Sequence, residues 1–168
     1  MEFKKISPYE INKNAFELIA GQWALVAAQK EEKVNALTAS WGGLGVLWNK
    51  NTIFIFIRQS RYTKEFIDSA ETFSLTFLNH KKYAEVYRYF GFVSGRDEDK
   101  IAKQGLTVKS EKDTPYFEEG ELVFICKKLC ATKIEPKDII DTELATTFYS
   151  DNDLHTMYVG EIISVLKK

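Results

Sequence analysis

The 168 residues carry 23 Lys+Arg against 24 Asp+Glu, with 45% hydrophobic and 28% charged residues, which predicts one soluble globular domain over 1–168 and excludes disorder. A formal net charge of -1 argues against a nucleic-acid partner, because non-specific phosphate affinity needs a basic surface. The longest apolar run, Trp23 to Ala28, is far below the ~20 residues that cross a bilayer, and no basic-then-apolar leader opens the chain, so a cytoplasmic location without a membrane partner is expected.

In chain order, Asn14 to Gly21 reads as a short helix, with Asn14 as cap, Glu17 completing a capping box and Gly21 as stop. Trp23 to Gln29 and Val34 to Trp41 read as strands joined by a charged turn. Gly42, Gly43 and Gly45 are expected to break regular structure before Trp48. Ile53 to Ile57 is a continuous apolar run that fits a strand covered on both faces, and a helix is expected from Thr63 to Ala70. Phe73, Leu75 and Phe77 alternate as a strand, whereas Tyr83, Val86, Tyr87 and Phe90 fall at helical spacing over Lys81 to Phe90, ended by Gly91.

A short charged helix is expected from Asp97 to Gln104. Strands are expected at Leu106 to Val108, Glu121 to Ile134, Leu144 to Phe148 and His155 to Leu166. Cys126 and Cys130 would lie on one strand about 13 Å apart, beyond the ~4.4–6.8 Å a disulfide tolerates, and so remain free thiols. Strands outnumber helices without a strict βαβ rhythm, which predicts a mainly β, antiparallel barrel with inserted helices.

No phosphate-loop, dinucleotide, zinc-protease or nucleophile-elbow pattern is present, and no metal ligand set is expected. Three segments nevertheless carry chemistry. Asn35 to Gly43 ends a strand in small polar residues, whose exposed backbone groups suit the polar edge of a planar ligand; it also reads as a simple bulged strand end. Arg58 to Thr63 sets two arginines and two hydroxyls at a helix start, which suits an anion, or plain capping by Ser60 or Thr63. Ser94 to Lys100 joins a hydroxyl, a glycine and two cations near a second turn, which suits a phosphate, or a capping box from Ser94 to Asp97.

Taken together and in this order, these segments closely resemble the flavin reductase-like family with the FMN-binding split barrel. The stretches that carry the resemblance are Asn14 to Val26, Asn35 to Trp41, Ile57 with Arg58, Arg61 to Thr63, Ser94 to Asp97 with Asp99 and Lys100, Thr114 to Glu119, and Asp153 to Glu161. The resemblance implies a homodimer with FMN at the subunit interface and NADH or NADPH as electron donor. It implies that Thr38, Ala39, Ser40 and Trp41 line the isoalloxazine ring. Arg58, Ser60, Arg61, Tyr62 and Thr63 would hold the ribityl chain and phosphate, with Ser94, Gly95 and Lys100, and Asn79 belongs to the same cofactor set. His155 would be the catalytic candidate near flavin or substrate.

The chain departs from the family's habits at Gln59, where Pro is frequent, at Cys130, where Tyr is frequent, and at Asn79 with His80, in place of a Pro-acidic pair. The implied function is a flavin oxidoreductase passing electrons from NAD(P)H through FMN to an unidentified acceptor. An FMN electron carrier without nicotinamide activity and a non-catalytic flavin-binding module remain as alternatives.

Overall fold

The structure is a computed structural model that describes residues 2–168. One eight-stranded sheet dominates it. Strands β2 (Ala24–Lys30), β3 (Lys33–Ala39), β4 (Gly42–Leu47), β5 (Lys50–Arg58), β6 (Thr72–Phe77), β9 (Leu122–Lys133) and β10 (His155–Lys167) run in the spatial order β3-β2-β6-β9-β10-β5-β4. The short β1 (Lys4–Ile6) adds onto the end of β10. Every pairing is antiparallel. Hairpin β7 (Val108–Glu111) and β8 (Thr114–Phe117) forms a separate two-stranded sheet that packs against β6, the Phe117 amide donating to the Thr76 hydroxyl at 3.2 Å.

Side-chain alternation explains how this sheet encloses a core. Val26 on β2, Leu37 on β3, the isoleucines Ile53, Ile55 and Ile57 on β5, and Phe73, Leu75 and Phe77 on β6 all converge on one buried cluster. The sheet therefore curls around its own inner face, and α1 (Tyr62–Ser69) adds Phe66 and Ile67 to the cluster. Register shifts between Val159 and Gly160 and between Ile162 and Ser164 bend β10, and one extra residue there lets Ile162 and Val165 share that inner face. The edge strands β3 and β4 do not pair with each other, so the mainly β antiparallel architecture is an opened barrel. The opposite face of β2, through Leu25 and Ala27, packs with Val86, Tyr87 and Phe90 of α2 (His80–Phe92).

Two expectations from the sequence are overturned. The glycine-rich stretch after Trp41 is strand β4, because its glycines let it lie directly against β5: a Cβ on Gly42 would sit 2.2 Å from the Phe54 carbonyl oxygen. The segment around Leu144 to Phe148 is not a strand but helix α4 (Thr142–Tyr149), capped by the Asp141 carboxylate, which accepts from the Glu143 amide at 2.9 Å. Its apolar residues lie three and four apart, a period that serves a helix as well as a short run serves a strand.

Smaller shifts follow similar causes. Asn14 does cap the first helical segment, accepting from the Phe16 amide at 2.9 Å, but the turns behind it are π-helical and run to Gln22, past Gly21. Gly91 does not end α2, which continues to Phe92. The charged helix is reduced to α3 (Lys100–Lys103), started by Asp99. The strand expected from Leu106 to Val108 begins only at Val108. Ser94 makes no capping box; its hydroxyl accepts from the Arg96 amide at 3.2 Å in a tight turn. Cys126 and Cys130 are free thiols on β9.

Candidate functional site

Two adjoining clefts open where β3, β5, α1, α4 and the loop after α2 meet, and Arg61 lines both. The larger, about 290 Å³, is lined by Thr38, Ala39, Ser40 and Trp41 at the end of β3 and by Arg58, Phe148 and His155. The smaller, about 190 Å³, is bounded by Ser60 to Thr63 and by Phe92 to Gly95 with Lys100.

A single buried side chain, Asn35 on β3, fastens the parts of the smaller cleft. Its amide donates to the Thr63 hydroxyl at 3.1 Å, tying the start of α1 to the sheet. Gly95 lies so close that a Cβ there would fall 2.4 Å from the Asn35 Oδ1. The loop after α2 is thereby pressed against the same strand as the first turn of α1. That first turn has no side-chain cap, so its backbone amides and the positive end of the helix dipole remain available to an anion.

The cations around this cleft are held by main-chain oxygens. Arg61 donates to the carbonyls of Gly91 and, at 2.8 Å, Phe90, at the end of α2. Lys100, only 2% exposed, donates to the Val93 carbonyl at 2.9 Å. Burial, then the neighbouring Arg61 charge, pulls the Lys100 ammonium down to about 8. Burial likewise lowers Arg61, with Asp153 opposing. Two like charges desolvated side by side form a cradle that a dianion would stabilise.

In the larger cleft, Trp41 lies 5.0 Å from the His155 ring and 5.2 Å from the Phe148 ring, centroid to centroid. Arg58 is fully engaged: it donates to the Phe148 carbonyl at 2.8 Å and the Asp153 carbonyl at 3.0 Å, and it pairs with Asp151 at 3.3 Å. The Asp153 carboxylate accepts from both the Ser60 amide, at 3.0 Å, and the Ser60 hydroxyl, at 2.6 Å. Burial first, then the Arg58 charge, lowers His155 to about 4, with Asp153 opposing. At neutral pH the ring is therefore uncharged.

Of the residues singled out from sequence for the cofactor or as catalytic, all but Asn79 line one of the two clefts, and the second cation of the Ser94–Lys100 turn, Arg96, lines neither. Asn79 stands elsewhere, capping α2 through the Lys82 amide and donating to Glu121 at 3.0 Å. Arg96 pairs with the Glu65 carboxylate of α1. The sequence reading missed Phe148, Tyr149 and Asp153 as cleft or latch residues, because the helix that carries two of them was read as a strand. It also passed over Asn35, whose signal was a lone amide in an apolar strand. Among the described residues, no group of three or more His, Cys, Asp or Glu is placed to hold a metal.

A cradle of buried Lys100 and half-buried Arg61 at an uncapped helix start, joined to a cleft lined by an indole, suits an anionic group next to a planar ring. Residues 16–167 match the model of the flavin reductase like domain. The fold is similar to the flavoredoxin from Methanosarcina acetivorans, with a TM-score of 0.71 at 23% identity over 98% of this chain and 76% of that one. An FMN-binding protein from Thermus thermophilus with bound p-hydroxybenzaldehyde gives 0.68 at 19% identity, over 96% and 76% of the two chains. The NADH:FAD oxidoreductase of Streptomyces globisporus C-1027, in complex with NAD and FAD fragments, gives 0.65 at 14% identity, over 88% and 74%. No curated protein matches the chain in sequence.

Proposed function

Because the chain belongs to the flavin reductase-like domain family, we propose that it is an FMN-dependent oxidoreductase, moving electrons from NADH or NADPH to an acceptor. The observation that carries this reading is the junction at Arg61 of an anion cradle and an indole-walled cleft. Bound there, FMN supplies the ring that accepts and returns electrons. Arg61, Lys100 and the first-turn amides of α1 bind the phosphate, each charge-assisted bond contributing roughly 1.5–3 kcal/mol. Trp41 and the strand end Thr38–Ser40 orient the ring. Phe148, packed edge to face on Trp41, holds the indole in place and shields its outer side from water.

Trp41 and Phe148 are 41% and 39% exposed, and large apolar side chains at the rim of a site suit burial by a second copy. The homodimer and the cytoplasmic location remain part of the proposal. No helix among the described residues is long and apolar enough to cross a membrane.

Purified protein should be yellow, or turn yellow on addition of FMN, bind about one FMN per chain, and lose flavin absorbance when mixed anaerobically with NADH or NADPH. A colourless protein that takes up no FMN would overturn the reading. The placement of Phe148 beside Trp41 favours one second reading, an electron carrier whose ring face is closed to nicotinamide. Retained FMN that neither nucleotide bleaches would select the carrier.

A further inference from the structure

Tyr149, the last residue of α4, sits at the edge of the larger cleft without lining it, and nothing in the proposed reaction uses it. Its hydroxyl lies 2.9 Å from Nδ1 of His155, the first residue of β10. A neutral imidazole has one nitrogen that donates and one that accepts, and the partner of one decides the role of the other. A phenol that donates its proton to Nδ1 leaves the proton of the ring on Nε2. Burial raises the Tyr149 hydroxyl further above its ordinary range, against the lowering influence of Arg58.

The geometry points to Tyr149 as a positioning residue that locks His155 in its Nε2–H tautomer, so that the cleft is offered a fixed hydrogen-bond donor instead of a titrating acid–base. The reading of the cleft as a flavin site sets what that donor meets: a carbonyl-like or anionic acceptor atom on the ring or on the electron acceptor. On this reading His155, the catalytic candidate, acts as a hydrogen-bond donor of constant charge.

Of the charged groups facing the imidazole, Arg58 opposes its protonation and Asp153 favours it. Arg58 from β5, whose guanidinium is 5.6 Å from the Tyr149 ring centroid, repels an imidazolium. Arg61 crosses the same cleft with a second positive charge. Asp153 favours protonation, yet its carboxylate is already taken by Ser60 and lies 3.8 Å from Arg58. Trp41, packed at 5.0 Å, keeps the ring from turning over freely.

Nitrogen-15 NMR of the full-length protein reads the tautomer directly, with FMN present and absent. The expected wild-type result is one neutral Nε2–H signal for His155, unchanged from about pH 5.5 to 8. In Tyr149→Phe an Nδ1–H population should appear, while the ring stays neutral at pH 7 because its burial and the Arg58 charge are unchanged. An imidazolium or an Nδ1–H signal in the wild type at pH 7 would overturn the inference, as would a Tyr149→Phe variant with the wild-type tautomer. Failure to bind FMN would remove the flavin reading and leave the tautomer result standing, so the two outcomes separate.

Discussion

Raising the pH should loosen the phosphate end of bound FMN through one side chain, Lys100. Its ammonium titrates near 8 in the folded protein against an ordinary 10.5. A base depressed in this way penalises the folded state below its folded value, and the penalty fades as pH climbs toward 10.5. At about 1.36 kcal/mol per pH unit, the burden on the empty protein at neutral pH is on the order of 3 kcal/mol. A phosphate dianion beside Lys100 restores the charged form, so binding above pH 8 requires proton uptake. FMN affinity should then be flat from about pH 6.5 to 8 and fall by about tenfold per unit beyond, reaching roughly 30-fold at pH 9.5.

The assay is quenching of FMN fluorescence at constant ionic strength, with riboflavin, which lacks the phosphate, as control. Riboflavin should show no such slope. Lys100→Met should bind FMN more weakly at pH 7, lose the slope, and melt at a higher temperature than wild type without ligand, since the buried charge is gone. Flat FMN affinity through pH 9.5, or a slope that survives in Lys100→Met, would refute the reasoning.

Three further outcomes are expected. Trp41→Ala should weaken FMN and riboflavin alike by about tenfold, because an aromatic contact is worth about 0.5–1.5 kcal/mol beyond the area it buries; a loss confined to FMN would relocate the ring. Gly160→Ala should destabilise the fold by about 1–3 kcal/mol, read as a lower Tm, because its Cβ would fall 2.6 Å from Phe73 Cζ and 3.0 Å from Cys126 Cβ. Arg58→Ala removes the donor to the Phe148 carbonyl and the partner of Asp151; α4 buries none of its residues, so limited proteolysis should move to its loop, while an unchanged digest would show that α4 is held by other contacts.

Much of the strand order along the chain was legible because burial writes a period into sequence. Phe73, Leu75 and Phe77 alternate because one face of β6 meets the core, and Val86, Tyr87 and Phe90 recur at helical spacing because α2 lays one side against β2. The cleft residues were legible for a different reason: small polar residues ending β3 and paired arginines before α1 mark where backbone and charge stay available. The failures have equally local causes. Glycines that break an isolated strand are what β4 needs to lie on Phe54, and α4 buries nothing, so packing left no clear stripe in its sequence.

By itself the sequence determined a mainly β chain of balanced charge, with cations concentrated at two turns and a family resemblance carried by ordered short motifs. Only the tertiary structure decided that those two turns share one cradle, because Asn35 on a distant strand binds the start of α1 and presses against Gly95. It also decided the charge states: Lys100 near 8 and His155 near 4 follow from burial and from neighbours far apart along the chain. Desolvation and charge–charge coupling depend on distance in space, which no local pattern of residue types encodes.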